Sequence, residues 1–166
     1  MYRVVRIGNQ TWMAENLNYN VSGSKCYDNK ENNCQKYGRL YNWNTATKIC
    51  PSGWHLPSYA DWEIFMATVG GEKTAGKFLK AASWHDEDNG QDKYGFAALP
   101  GGWFDSADSF FGIGDLGSWW SSTESTSDAS RGLFRYISIA DLKAVGKGNG
   151  NKSGFHLSVR CLQNGN

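Results

Sequence analysis

Hydrophobic and polar positions along the chain predict helices early and short strands late. The clearest helix is predicted over residues 59–69, because large apolar residues recur there three and four positions apart. These residues are Tyr59, Trp62, Phe65, Met66 and Val69. Ser58 and Asp61 can form a capping box at its start, and Gly70-Gly71 is a typical stop. A lesser helix is predicted over residues 74–80.

The β pattern begins with a predicted hairpin over residues 2–17, whose turn is Gly8-Asn9. Later strands are predicted over residues 133–139, 141–145 and 155–161, with a polar Gly/Asn/Lys loop over residues 146–154. Alternation in the last strand places Phe155, Leu157, Val159 and Cys161 on one face. The order of elements predicts one α+β domain over residues 1–166, with short antiparallel strands and long loops in its second half.

Aromatic residues are the unusual part of the composition. Eight Trp, eight Tyr and eight Phe make up 14% of 166 residues, beside 20 Gly and only 20% charged residues. Helical bundles favour Ala, Leu, Glu and Lys, and disordered chains are poor in aromatic residues. The composition therefore excludes both classes and favours a loop-rich domain with a β or α+β core.

The charge balance excludes one class of partner. Lys and Arg number 17 against 16 Asp and Glu, which gives a net charge of +1. A nucleic-acid-binding protein needs a basic excess to neutralise phosphates, so nucleic acid is not an expected partner. No apolar run approaches the roughly 20 residues that span a bilayer, so no transmembrane segment is expected.

The four cysteines are Cys26, Cys34, Cys50 and Cys161. An even number in a loop-rich chain predicts two disulfides and an extracytoplasmic location, either secreted or at the cell surface. The sequence alone permits three pairings. Because no C-x-x-C spacing occurs, neither a zinc site nor a thioredoxin-like site is favoured.

Six segments carry a further pattern, and they occur in order along most of the chain. They are residues 12–19 (WMAENLNY), 37–43 (YGRLYNW), 50–58 (CPSGWHLPS), 94–102 (YGFAALPGG), 119–124 (WWSSTE) and 154–161 (GFHLSVRC). In these segments the chain resembles the Fibrobacter succinogenes major paralogous domain family.

The resemblance implies a C-type-lectin-like fold, related to the domain of formylglycine-generating enzymes and of phage and bacterial variable receptors. It implies a secreted or surface bacterial protein in which the two chain ends pair as neighbouring strands and a long loop region presents the ligand face. A bond between Cys50 and Cys161 fits that closure and leaves Cys26 with Cys34.

Residues 103–152 are the candidate binding surface. Sugar recognition uses flat aromatic rings beside amides, carboxylates and arginines, and this segment is rich in both kinds of side chain. The predicted ligand-binding residues are Trp103, Phe104, Trp120, Arg131, Phe134, Arg135, Tyr136, Asn149, Asn151 and Lys152. Trp119 and Trp120 are adjacent, so only one is expected to point inward. If Arg135 faces the core, Phe134 and Tyr136 form an exposed pair.

An acidic run is the candidate metal site. Asp86, Asp88 and Asp92 alternate around a glycine in the pattern D-x-D-x-G-x-D, and such oxygen ligands suit Ca²⁺. The run is not an EF-hand, and the alternative is a solvated acidic turn. The chain lacks the Glu-Pro-Asn and Gln-Pro-Asp triplets of sugar-binding calcium sites in animal C-type lectins. No cofactor is expected to be required, and any bound Ca²⁺ is expected to be structural.

The function predicted from these features is a recognition or adhesion module that binds a glycan or a surface protein through residues 103–152. It is expected to act as a monomer or as a module of a larger surface protein. One alternative is a cysteine- or metal-dependent enzyme related to the formylglycine-generating group. The three His are isolated and alternation buries the late Cys161, so catalysis is not predicted. The other alternative is a structural surface domain without a ligand.

Overall fold

The computed structural model describes residues 2–82, 84 and 90–165, apart from the side chain of Leu142. Within these residues, the α-helices are α1 (Glu31–Tyr37), α2 (Trp43–Ala46), α3 (Tyr59–Thr68) and α4 (Glu72–Leu79). The strands are β1 (Val4–Ile7), β2 (Gln10–Met13), β3 (Tyr41–Asn42), β4 (Trp54–His55), β5 (Gly101–Asp105), β6 (Ser109–Ile113), β7 (Leu116–Glu124), β8 (Arg131–Ser138), β9 (Asp141–Asn151), β10 (His156–Leu157) and β11 (Leu162–Gln163). This mixture confirms the α+β class.

The smaller sheet joins the two ends of the chain. Its strand order is β1-β2-β11-β4, and Leu162 of β11 lies between Trp12 of β2 and His55 of β4. The predicted hairpin is present, and Gly8 supplies the positive φ of +60° that its turn requires. The C-terminal strand therefore lies beside the N-terminal hairpin, as the resemblance implies.

The larger sheet has seven strands in the order β3-β10-β5-β7-β8-β9, with β6 paired to β5. Strands β5 and β7 pair in parallel through Gly102 and Gly117, whereas antiparallel pairing was predicted throughout. The reason is the intervening strand β6, which reverses the chain once before β7 returns in the direction of β5.

Helices α3 and α4 are those that the pattern predicts. A capping box begins α3, and a glycine lets α4 pack closely on the sheet. At the start of α3, Asp61 N donates to Ser58 Oγ (3.1 Å) and Ser58 N donates to Asp61 Oδ2 (2.8 Å), which completes the capping box. Helix α4 packs closely on β9. A Cβ at Gly76 would lie 2.6 Å from the carbonyl oxygen of Ala144, so glycine permits this approach.

Two hydrophobic cores lie on opposite faces of β7. Trp119 packs in the first core, together with Trp62 and Phe96, while Trp120 packs in the second with Tyr41. Trp119 is 1% exposed and Trp120 is fully buried. The expectation that only one of the two points inward is therefore wrong, because strand β7 is covered on both faces.

The disulfides are Cys26–Cys34 and Cys50–Cys161, the pairs that the resemblance implies. The second bond closes a sequence separation of 111 residues. In the chain-entropy model such a loop stabilises the fold by about 4–5 kcal/mol, and the eight-residue separation of the first bond stabilises it by less.

A buried arginine joins several of the segments that carry the resemblance. Asn16 Oδ1 accepts hydrogen bonds from Trp119 Nε1 (2.9 Å) and Arg160 Nε (2.8 Å), and Arg160 also donates to the carbonyls of Phe96 and Ala97. Burial lowers the pKa of Arg160 to about 9, and the nearby carboxylates of Asp92 and Glu15 act in the opposite direction. These segments thus stabilise the interior.

Two local assignments differ from the sequence prediction. The sequence also predicts a short helical stretch that opens at residues 37–43, but helix α1, held by the Cys26–Cys34 bond, ends at Tyr37, and helix α2 begins only at Trp43. Residues 146–151 were expected to form a loop, but they belong to β9. Among the helices of the described residues, none is both long enough and apolar enough to cross a membrane.

Candidate functional site

An aromatic cleft of about 190 Å³ opens on the larger sheet. We call it the aromatic cleft. Its main lining residues are Trp103, Leu116, Ser118, Phe134, Tyr136 and Phe155. Phe134 and Tyr136 alternate along β8 with Arg135, which contacts α3 and α4, so the cleft lies on the face away from those helices. The four aromatic residues are half-buried, and Ser118 is the polar member.

Alternating glycines in β9 make room for the rings on β8. Gly146 pairs with Tyr136 and Gly148 pairs with Phe134. A Cβ at Gly146 would lie 2.2 Å from the Tyr136 ring, and one at Gly148 would lie 2.4 Å from the Phe134 ring. These rings therefore lie directly against the backbone of β9. The sequence G-K-G-N-G, predicted to be a loop, belongs to a strand. The rings of Tyr136 and Phe134 fill the space that side chains at Gly146 and Gly148 would take.

Ring-to-ring contacts fix the walls of the cleft. Trp103 packs against Phe155 at a centroid distance of 4.7 Å and stacks on Phe111 at 5.0 Å. Phe134 contacts Tyr136 at 6.2 Å. Phe111 is 42% exposed beside this array. Because the rings hold one another, an incoming group would meet a surface that is already ordered.

Three of the ten predicted ligand-binding residues meet in this cleft, namely Trp103, Phe134 and Tyr136. The prediction is wrong for Phe104 and Trp120, since both are buried. Phe104 packs in the third hydrophobic cluster beneath the ammonium group of Lys25, which lies 4.2 Å from its ring centroid. Trp120 Nε1 donates to the carbonyl of Tyr41 at 2.8 Å, so this indole is a core residue.

Arg135 is also wrongly predicted, because its side chain is fully buried beneath the helices. Its guanidinium donates to Glu63 and Glu72 and lies 4.5 Å from the centroid of the Tyr59 ring. Lys147 Nζ lies 2.9 Å from Glu72 Oε1. Burial by itself raises the pKa of Glu72, but the hydrogen bonds from Lys147 and Arg135 prevail and lower it. The group is an ion-pair network that anchors α3 and α4 to the sheet.

The remaining four predicted residues hold turns and strand ends outside the aromatic cleft. Arg131 Nε donates to Asn149 Oδ1 at 2.5 Å. Asn151 Oδ1 accepts from the backbone N–H of Gly154 at 2.8 Å, which closes the turn after β9. Lys152 Nζ donates to the carbonyl of Ala129 at 2.6 Å. None of the four lines the aromatic cleft, so the structure does not bring them to it.

Sequence reasoning missed Leu116, Ser118 and Phe155 as cleft residues, and Phe111 as their neighbour. Phe155 does pack against the second core as alternation predicts, yet its ring also walls the cleft. The available signal was the alternation of glycine in β9, because a strand without side chains on one face must be covered by rings from elsewhere.

Of the three predicted calcium ligands, the structure describes Asp92 alone. Asp86 and Asp88 lie outside the described residues. Asp92 Oδ1 accepts from the backbone N–H of Ala97 at 2.6 Å, which closes a turn. Calcium binding stays a prediction.

Cys26, Cys34 and Glu31 bring two sulfurs and a carboxylate within 4.8 Å of one another. Both sulfurs belong to a disulfide, whereas metal ligation by cysteine requires thiolates. In its oxidised form this group is therefore a covalent brace for α1.

These features define the class of protein as a disulfide-braced α+β domain that carries a preformed aromatic cleft. The family model of the Fibrobacter succinogenes major domain matches residues 5–163, and the chain belongs to that family. Comparison with curated proteins and with solved structures finds no match.

Proposed function

We propose that the chain is an extracytoplasmic recognition domain with a C-type-lectin-like fold, which binds a protein partner by taking one of its apolar side chains into the aromatic cleft. The observation that carries this proposal is the cleft itself. Its half-buried rings are held by one another and by the glycines of β9. A rigid apolar cavity of this kind is the usual receptor for an interface anchor residue.

The chemistry of the cleft favours a protein side chain over a sugar ring. A sugar needs several groups that bond to its hydroxyls, whereas the lining is mainly apolar and its polar groups are the Tyr136 phenol, the Trp103 indole N–H and the buried hydroxyl of Ser118. The volume of about 190 Å³ also lies below the roughly 300–1,000 Å³ of typical small-molecule sites. One leucine or aromatic side chain suits such a space.

The C-type-lectin-like assignment is supported by the arrangement of the chain ends. Strand β11 pairs with β2, and the Cys50–Cys161 bond closes most of the chain into one loop. The two disulfides support an extracytoplasmic location, since such bonds persist in oxidising compartments.

Binding is favoured over cysteine catalysis because both disulfides together use all four cysteines. A cysteine nucleophile would require one bond to open, and Cys161 is fully buried. A structural domain without a ligand would have no use for a preformed apolar cleft, which is costly to leave in water.

The test is an NMR titration of ¹⁵N-labelled protein with N-acetylated amino acid amides. Burial of one side chain contributes about 1.5–3 kcal/mol, so the probes must be used at about 10 mM. The Trp, Phe and Leu amides should shift the signals of Gly146, Gly148 and the Trp103 indole, whereas the Ser amide and methyl glucoside should not. Tyr136→Ala should abolish the shifts, and Ile64→Ala, a surface change on α3, should retain them.

Two results would contradict the proposal. One is the absence of any shift at the cleft with every apolar probe. The other is a methyl glucoside response at the cleft as large as that of the Trp amide, which would favour sugar recognition there.

A further inference from the structure

A second cleft, of about 510 Å³, lies between the N-terminal segment and helix α1 and shares no lining residue with the aromatic cleft. We call this second site the polar cleft. The residues that shape its chemistry are Tyr2, Arg3, Glu15, Asn18, Gln35 and Lys36. They come from three separate stretches of the chain. The volume lies within the roughly 300–1,000 Å³ range of small-molecule sites.

The walls of the polar cleft are held in place. Buried Asn16 lines it, and Asn16 Nδ2 donates to the carbonyl of Tyr37 at 2.8 Å. Gly38 approaches so closely that a Cβ there would lie 2.7 Å from Asn16 Cβ. The Cys26–Cys34 bond anchors helix α1, which presents Gln35 and Lys36. The short disulfide thus fixes one wall of the cleft.

Several polar groups in this cleft retain hydrogen-bonding capacity. Within the described part of the chain, the side chains of Asn18 and Gln35 make no hydrogen bond, and both residues are exposed. The hydroxyl of Tyr2 accepts from the backbone N–H of Asn18 at 3.0 Å, which leaves its own proton to donate. Glu15 Oε1 accepts from the backbone N–H of Arg3 at 2.7 Å, while Oε2 lies 3.9 Å from Arg3 Nε.

The mixture of groups identifies the ligand class. Asn18 and Gln35 can each donate and accept, Arg3 and Lys36 donate, and Glu15 accepts, so the cleft matches hydroxyl groups, which do both. An anion site would present donors alone, and here a carboxylate lies among them.

An apolar surface adjoins these polar groups. Tyr2 also lines a neighbouring cleft of about 290 Å³ with Tyr19, Ile49 and Pro51, and Tyr19 is 60% exposed. Sugar rings carry apolar C–H faces that pack on tyrosine rings, so the two adjoining clefts offer both parts of a sugar site.

We infer that the polar cleft, extended over Tyr2 and Tyr19, binds a neutral oligosaccharide. The site is separate from the aromatic cleft, so the domain has two recognition surfaces of different chemistry. Binding at one does not require the other, and the inference does not depend on the proposed protein partner.

The test is isothermal titration calorimetry of the disulfide-bonded protein with gluco-, xylo-, manno- and N-acetylglucosamine hexasaccharides, and with inorganic phosphate. At least one neutral hexasaccharide should bind. The double variant Asn18→Ala/Gln35→Ala should weaken that binding at least tenfold, because it removes two amides that can bond to sugar hydroxyls and that make no hydrogen bond within the described residues. The matched control is Asn32→Ala, on an exposed position of the same helix, which should leave affinity unchanged.

The inference is overturned if none of the four hexasaccharides binds, if phosphate alone binds, or if the double variant binds as tightly as the parent protein. Tyr136→Ala, which alters the aromatic cleft, should leave sugar affinity unchanged. Loss of sugar binding in Tyr136→Ala but not in the double variant would place the sugar in the aromatic cleft and also overturn it.

Discussion

Strand β8 carries large side chains on both faces, yet one face is buried and the other is only half-buried. On one face Arg135 is fully buried and Ile137 is 1% exposed, because α3 and α4 cover them. On the other face Phe134 and Tyr136 are half-buried and line the aromatic cleft, on the side away from α3 and α4. Alternation determines which residues share a face, but the placement of other elements determines which face is closed. We call the side of the sheet that carries Arg135, Ile137 and, on the paired strand β7, Trp119 the closed face, and the side that carries Phe134 and Tyr136 the open face.

The difference separates stability from recognition. The closed face combines an indole-rich core with an ion-pair network, and its residues contact many neighbours at once. The open face is held by ring contacts and by glycines, and it leaves a cavity. Substitutions on the closed face should therefore lower the free energy of unfolding, whereas substitutions on the open face should change binding.

The largest effect is expected for Trp119→Ala on the closed face. Trp119 is 1% exposed and its indole donates to Asn16 Oδ1, so the change leaves a cavity and removes one of the two hydrogen bonds that this oxygen accepts. We expect the free energy of unfolding to fall by about 3–5 kcal/mol, measured by denaturant titration. Trp119→Phe, which keeps much of the volume, should lose less. An equal loss in both variants, or a loss below about 1 kcal/mol in the Ala variant, would show that this core does not stabilise the closed face.

The ion-pair network should give the next largest effect. Glu72→Gln removes one of two carboxylates that neutralise buried Arg135, and we expect a loss of about 1–3 kcal/mol. Glu124→Gln, which changes an exposed carboxylate paired with Lys152, should lose less than about 0.5 kcal/mol. Equal losses in the two variants would contradict a special role for Arg135.

The same variant should alter the pH dependence of unfolding. The pKa of folded Glu72 lies below its ordinary value of 4.5, so the unfolded state binds the proton more readily. Its contribution is therefore complete above about pH 4.5 and is lost as the pH falls through the folded pKa. Denaturant titrations from pH 7 to pH 3 should show a shallower acid loss in Glu72→Gln than in the parent protein. An identical slope would contradict this assignment.

An effect of similar size is expected where the open face meets β9. A Cβ at Gly148 would lie 2.4 Å from the Phe134 ring, which packs on Trp120 and has little room to move. Gly148→Ala should lower the free energy of unfolding by about 1–3 kcal/mol and perturb the cleft signals in NMR spectra. Gly165→Ala, at a site with no neighbour within 4 Å, is the matched control and should change neither. An unchanged Phe134 ring environment in Gly148→Ala would refute the close contact.

Local signals explain which parts of the fold were predictable. The capping box of Ser58 and Asp61 and the apolar spacing after it define α3, and the turn at Gly8 defines the N-terminal hairpin. Helix α1 has no such signal, since its sequence is polar and a disulfide holds it in place. A strand was predicted over the first part of β9, residues 141–145, but residues 146–151 were assigned to a loop because their glycines favour loops, and only the rings opposite them turn the segment into a strand.

The candidate sites were less predictable, because each depends on tertiary placement. Trp103, Phe134 and Tyr136, which meet in the aromatic cleft, were selected because aromatic residues cluster in the late segment, but the same criterion selected Trp120, which a second layer buries. The polar cleft gave no signal, since its residues come from three stretches and become neighbours only when the disulfide and Asn16 fix α1.

The sharpest test of the comparison is Tyr136→Ala, which should have the smallest effect on stability. Tyr136 lies half-buried against Gly146, so its cross-strand contact contributes about 0.2–1 kcal/mol. If the open face serves recognition, this variant should unfold almost like the parent protein in denaturant titrations while its affinity for the Trp amide falls at least tenfold. A stability loss comparable to that of Trp119→Ala would mean that the ring is a core residue and that the two faces of β8 do not differ in role.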